Sequence, residues 1–97
     1  MEIIYHRRIQ KDIHLALAFY DEEGGRKLGE RFFAEAEETP ARVVRNPKGF
    51  RFATPNLTRA SFDSFPYHFL YEENHHQLRF LVLRHHRRYP GFGLRRR

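Results

Sequence analysis

Apolar and polar positions along the chain change period twice, and each change marks a new element. Ile3, Ile4 and Tyr5 form a short apolar run that predicts a strand. From Arg7 the spacing turns helical. Ile9, Ile13, Leu17 and Tyr20 recur on one stripe with Ala16, while Arg8, Lys11, Asp12 and Glu22 fall on the opposite, solvent-facing side. Gly24-Gly25 predicts the stop of this helix, expected over 7–23, because glycine supplies the left-handed conformation that ends helices. A second helix is expected over 27–45, with Leu28, Phe32, Ala36 and Val43 on one stripe. Pro40 lies inside it. The stripe keeps its phase across the proline, which predicts a bent continuation. Asn46-Pro47-Lys48-Gly49 has the composition of a turn.

Beyond Gly49 the period becomes two. Phe50 and Phe52, then Arg59, Ser61 and Asp63 against Ala60 and Phe62, then Tyr67, Phe69 and Tyr71 against His68, Leu70 and Glu72 all alternate as strands do. Leu78 and Phe80 to Leu83 are apolar on both faces, which predicts a central strand. The order is strand, helix, helix, then about four strands. It predicts one α+β domain over 1–97: a two-helix hairpin packed on one face of a largely antiparallel sheet of four to five strands. Ile9, Ile13, Leu17, Leu28, Phe32 and Ala36 are its expected helical core, against Phe62, Phe69, Leu81 and Leu83.

Charge adds an asymmetry. Residues 1–40 carry six Lys/Arg and nine Asp/Glu, or −3; residues 41–97 carry twelve and three, or +9; together they make the overall +6. One basic face and an anionic partner follow. The chain has no cysteine, which excludes disulfides and thiolate metal sites. No stretch reads as a leader or a membrane span, so the expected setting is the cytoplasm, without membrane contact. No cofactor motif is present. Neighbouring residues of a strand face opposite ways, so His85-His86 cannot chelate jointly, and no metal is expected. His75 and His76 read as solvated turn residues. The Arg95-Arg96-Arg97 end reads as a solvated tail.

Three features carry a family resemblance. The first is the element order at this length. The second is Arg59 followed by Phe65-Pro66-Tyr67-His68-Phe69-Leu70-Tyr71. The third is Val82-Leu83-Arg84-His85-His86-Arg87-Arg88-Tyr89-Pro90. Together these resemble the RelE/ParE superfamily of toxins, whose penultimate strand opens with a similar "FPY" segment and whose last strand runs into "H-x-R-R-x-P". The resemblance implies the toxin of a type II toxin–antitoxin module that inhibits growth and is neutralised by a cognate antitoxin with an acidic segment, as a hetero-oligomer.

It leaves two mechanisms open. One is ParE-like inhibition of a protein target such as DNA gyrase. The other is ribosome-dependent mRNA cleavage by a metal-independent endoribonuclease. For cleavage, the resemblance implies catalytic roles for Arg59, His68 and His86. For target or antitoxin binding it implies Arg59, Arg84, His86, Arg87, Arg88 and Tyr89. Ser61 stands where a second cation is expected, and His68 replaces an arginine; a neutral imidazole holds phosphate less well than a guanidinium fork. Both departures favour the ParE-like branch. Outside toxins, a small basic RNA-binding module is the remaining reading.

Overall fold

In the computed structural model, which describes residues 1–96, the elements run β1 (Glu2–Tyr5), α1 (Ile9–Arg45), β2 (Arg51–Phe52), β3 (Thr58–Ser61), β4 (Tyr67–Glu73) and β5 (Gln77–His85). The five strands form one sheet in the order β1-β5-β4-β3-β2. The last four make an antiparallel meander, and β1 pairs parallel with β5 through Glu2↔Gln77 to Tyr5↔Phe80. The α+β class holds, but the sheet is mixed. The parallel pair arises because α1 crosses one face of the sheet from β1 at one edge to β2 at the other, and the meander then returns to β1.

The helical segment also differs from expectation. It starts at Ile9 and comprises two helices that join directly at a kink at Gly25, where the sequence predicts the stop, with no loop between them. Its only non-helical residue is Gly25, at φ 83° and ψ −179°, a conformation essentially confined to glycine. One such residue suffices to fold the element back on itself. The rings of Tyr20 and Phe32 stack at 5.1 Å, whereas twelve residues of straight helix span about 18 Å. The helix runs on through Pro40, as the unbroken apolar stripe implies.

Between helix and sheet lies an aromatic core. Phe32, Phe69, Tyr71 and Phe80 are fully buried, with Phe62, Phe65, Leu78 and Leu83 around them. Ile9, Phe32 and Ala36 are buried as the helical phase predicts, and Ile13, Leu17 and Leu28 pack at the margin. The Tyr71 hydroxyl donates to the Pro47 carbonyl at 2.6 Å, satisfying the one polar atom its ring carries into the core.

Leu81 departs from its expected place under the helix. The β4–β5 register runs Leu70↔Val82 and then Tyr71↔Phe80, so Leu81 is the extra residue of a β-bulge. It packs with Leu57, Leu70 and Val82 on the face away from the helix. The bulge shifts the alternation of β5 by one. Before it, Leu78 and Phe80 face the helix; after it, Leu83 does. Without the bulge, Arg84 and His86 would share the phase of Leu78 and Phe80 and lie beneath the helix. With it, both reach the open face.

Asp12, expected on the solvent side of the helix, is nearly buried instead. Its carboxylate accepts the Leu83 N–H at 3.1 Å and pairs with Arg96 at 2.6 Å. Arg96 also donates to the Leu81 carbonyl at 3.1 Å. The two side chains close the edge of β5 beyond the end of β1, where backbone groups would otherwise be unpaired. Arg96 is therefore not part of a solvated tail, and Arg97 lies outside the described residues.

Candidate functional site

The open face of the sheet gathers Arg59 and Ser61 from β3, His68 from β4, and Arg84 and His86 from the end of β5. Ser61 pairs with His68, and His68 with Arg84, as direct cross-strand neighbours. His86 follows the last residue of β5, and its backbone N–H donates to the Pro66 carbonyl at 2.8 Å, which extends the strand's pairing by one bond. His85 faces the helix side, with its ring 5.2 Å from that of Tyr67.

These side chains form a connected network. Arg84 Nε donates to His68 Nε2 at 3.0 Å. His68 Nδ1 and His86 Nδ1 lie 2.9 Å apart, with the ring centroids 5.1 Å apart and the planes within 20°, so the rings meet edge to edge. Arg59 Nη2 reaches the same His86 Nδ1 at 2.9 Å, and Arg59 Nε donates to Ser61 Oγ at 3.2 Å. Arginine only donates. His68 Nε2 and His86 Nδ1 must therefore both accept. His68 then carries its proton on Nδ1 and donates it to His86, and His86 carries its own on Nε2.

Electrostatics favours the same state. Burial, followed by the charges of Arg59 and Arg84, pushes the His68 pKa down to about 3. Burial and then Arg59 lower that of His86 as well. Both rings are neutral at pH 7. Burial first, and Arg59 second, also depress the pKa of Arg84.

His68 is 1% exposed and both of its ring nitrogens are engaged, so it forms the floor of the site. Arg84 also donates to the carbonyls of Pro90 and Phe92, at 2.8 and 3.1 Å. It thereby fixes the tail over the sheet, where Phe92 and Leu94 pack on the Leu57–Leu70–Leu81–Val82 cluster. Gly93, at φ 80°, lies so close to Val82 that any side chain there would collide with it. Arg87 and Arg88, which follow His86 in the chain, are exposed. The Arg88 guanidinium sits 4.1 Å over the Phe92 ring, and Tyr89 remains 62% exposed.

The structure thus brings Arg59, His68, Arg84 and His86 together; Arg87, Arg88 and Tyr89 follow in the chain as exposed residues outside that network. The sequence reading missed two supports. Ser61, read as a missing cation, holds the Arg59 guanidinium in place. Pro66, read as a strand entry, also orients His86 through its carbonyl. Neither role leaves a signal in sequence, since each depends on strand register.

No family model matches the chain, and no curated protein does. A solved structure described as the chromosomal ParDE TA system from P. aeruginosa shares the fold, with a TM-score of 0.76 over 88% of this chain and 95% of that one, at 14% identity. The fold is the one that the RelE/ParE resemblance implies.

Proposed function

We propose that this chain is the toxin of a type II toxin–antitoxin pair, checked by a cognate antitoxin with an acidic segment, and that it acts by gripping a protein target rather than by cutting RNA. DNA gyrase is the target to which the ParE-like resemblance points. The observation that carries the choice of mechanism is the hydrogen-bonding state of His86. A general base must offer a lone pair to the reacting hydroxyl, and a general acid must carry a dissociable proton near neutrality. His86 in this network does neither. Its lone pair is taken by Arg59 and His68, and its outward Nε2–H belongs to a neutral ring. It serves as a hydrogen-bond donor beside two guanidinium groups, a set suited to acidic or carbonyl groups on a partner. His68, at the floor, holds no phosphate.

RNA cleavage remains the second reading, and Arg59 is the observation in its favour. An incoming phosphate can draw the guanidinium off His86 Nδ1 and release that ring to titrate. The two readings separate in one culture in which the toxin is induced and both mRNA integrity and plasmid topology are read. Intact mRNA with relaxed plasmid is the expected result. Cleaved mRNA that becomes intact in His86→Ala would replace the binding mechanism with the nuclease. A basic RNA-binding module would leave growth unaffected.

A further inference from the structure

A second basic site lies away from the Arg59–His86 network. The β1–α1 turn, the middle of β5 and the tail enclose a cleft of about 590 Å³, lined by His6, Arg7, Arg8, Arg79, Arg95 and Arg96 over apolar residues that include Ile4 and Leu81. Of its five arginines, Arg96 is paired with Asp12, and Arg79 weakly with Glu72 at 3.5 Å. Among the described residues, Arg7, Arg8 and Arg95 have no ion pair. They are brought together by two segments far apart in sequence, the β1–α1 turn and the tail, at a cost in mutual repulsion that a bound anion would offset. α1 also begins here. Arg8 is its N-cap residue and makes no side-chain cap, so the positive pole of the helix adds to the same field. Burial and then Arg96, Arg7 and Arg8 depress the pKa of His6, which reports that field from within the cleft.

We propose that this cleft binds the phosphate groups of a nucleotide. The charged rim donates hydrogen bonds and accepts none, because guanidinium groups have no acceptor. A phosphate chain is their complement: it accepts at every oxygen and meets the guanidinium fork two bonds at a time. An acidic peptide fits less well, since its carboxylates sit on separate side chains with two oxygens each and match a cluster of guanidinium forks less closely than a phosphate chain does. The apolar floor offers a surface on which a base can lie flat. The volume falls in the range of roughly 300–1,000 Å³ typical of small-molecule sites. The ligand is either a free nucleoside polyphosphate or a nucleotide of a single strand, and the chemistry is shared.

The test is calorimetric titration of the full-length chain at about 0.15 M salt with three probes: adenosine triphosphate, inorganic triphosphate and a single-stranded RNA of about a dozen nucleotides. At least one phosphate probe should bind. Its affinity should fall by at least about tenfold in Arg7→Glu combined with Arg95→Glu, and measurably in Arg95→Glu alone, a substitution at an exposed position that leaves folding intact. Arg59→Ala should leave the affinity unchanged. Binding of adenosine triphosphate marks the free nucleotide as the ligand; binding of the RNA alone marks a strand. The site is refuted if no phosphate probe binds, if Arg59→Ala rather than the cleft variants abolishes binding, or if a glutamate-rich peptide outcompetes every phosphate probe. The readout is independent of toxicity, so the cleft and the toxin reading can fail separately.

Discussion

The two faces of the sheet are built on opposite principles. The helix-covered face is a packed layer of rings, with Phe32, Phe69, Tyr71 and Phe80 fully buried and their edges and faces in contact. The open face is wired: Arg59, His68, Arg84 and His86 are fixed by hydrogen bonds, with only a small apolar cluster under the tail. The first face supplies stability through burial of apolar surface. The second spends stability, since it buries a histidine between cations. β5 contributes to both, and the bulge at Leu81 is what lets one strand serve the core along its length and the site at its end.

Deleting Leu83, a paired residue beyond the bulge, should break this division most severely. Its loss would put Arg84 in its place facing the helix and turn His86 to the same side, whereas deleting the unpaired Leu81 leaves both on the open face. The expected product lacks a cooperative thermal transition and near-ultraviolet circular dichroism. Leu81→Ala keeps the residue count and should still fold, at a cost of about 2–5 kcal/mol. If the deletion variant folds natively, alternation along β5 does not place these side chains.

Phe32→Ala should rank next, at about 3–5 kcal/mol by urea unfolding, because the ring meets Tyr20, Phe62, Phe65 and Tyr67 and has no solvent exposure. A loss below 1 kcal/mol, on the order of a surface substitution, would show that the rings do not form a rigid core.

Acid should weaken the wired face selectively. The His68 pKa is about 3 in the folded protein and about 6.5 when unfolded. Between those values the unfolded chain binds the extra proton, so stability falls as pH drops through this window. From pH 7 to pH 5 the loss is about 2 kcal/mol, with His86 contributing in the same direction. His68→Gln should flatten that dependence; an unchanged slope would mean that His68 titrates normally.

Smallest in stability, and largest in kinetics, is the exposed run that follows the network. Arg87→Glu with Arg88→Glu, both at exposed positions, should slow association with the antitoxin and remove much of its salt dependence. Association rates that match wild type at every salt concentration would put the antitoxin's acidic segment elsewhere.

The parts legible in the sequence are those set by local period. The helical stripes gave Ile9, Phe32 and Ala36 their buried faces, and strand alternation put Arg84 and His86 on one face and His85 on the other. What was not legible depends on chain pairing. The parallel β1–β5 contact joins residues more than seventy positions apart. The bulge is a register offset between two strands, invisible in either alone. Asp12 looked solvated because a carboxylate on a helix ordinarily is; only the arrival of Arg96 makes its burial tolerable. Arg59, His68 and His86 could be nominated from sequence. That they touch, and in which protonation state, follows from cross-strand distances of about 3 Å, the range of ordinary hydrogen bonds.

The central claim is that His86 is a neutral donor, fixed by Arg59 and His68, and the direct measurement is the nitrogen-15 NMR spectrum of the histidine side chains at pH 7. His86 should show a protonated Nε2 and an unprotonated Nδ1, and His68 the reverse. In Arg59→Ala the His86 pKa should rise, because a neighbouring positive charge has been removed. An imidazolium at His86, or a proton on its Nδ1, would contradict the account and return the site to acid–base chemistry.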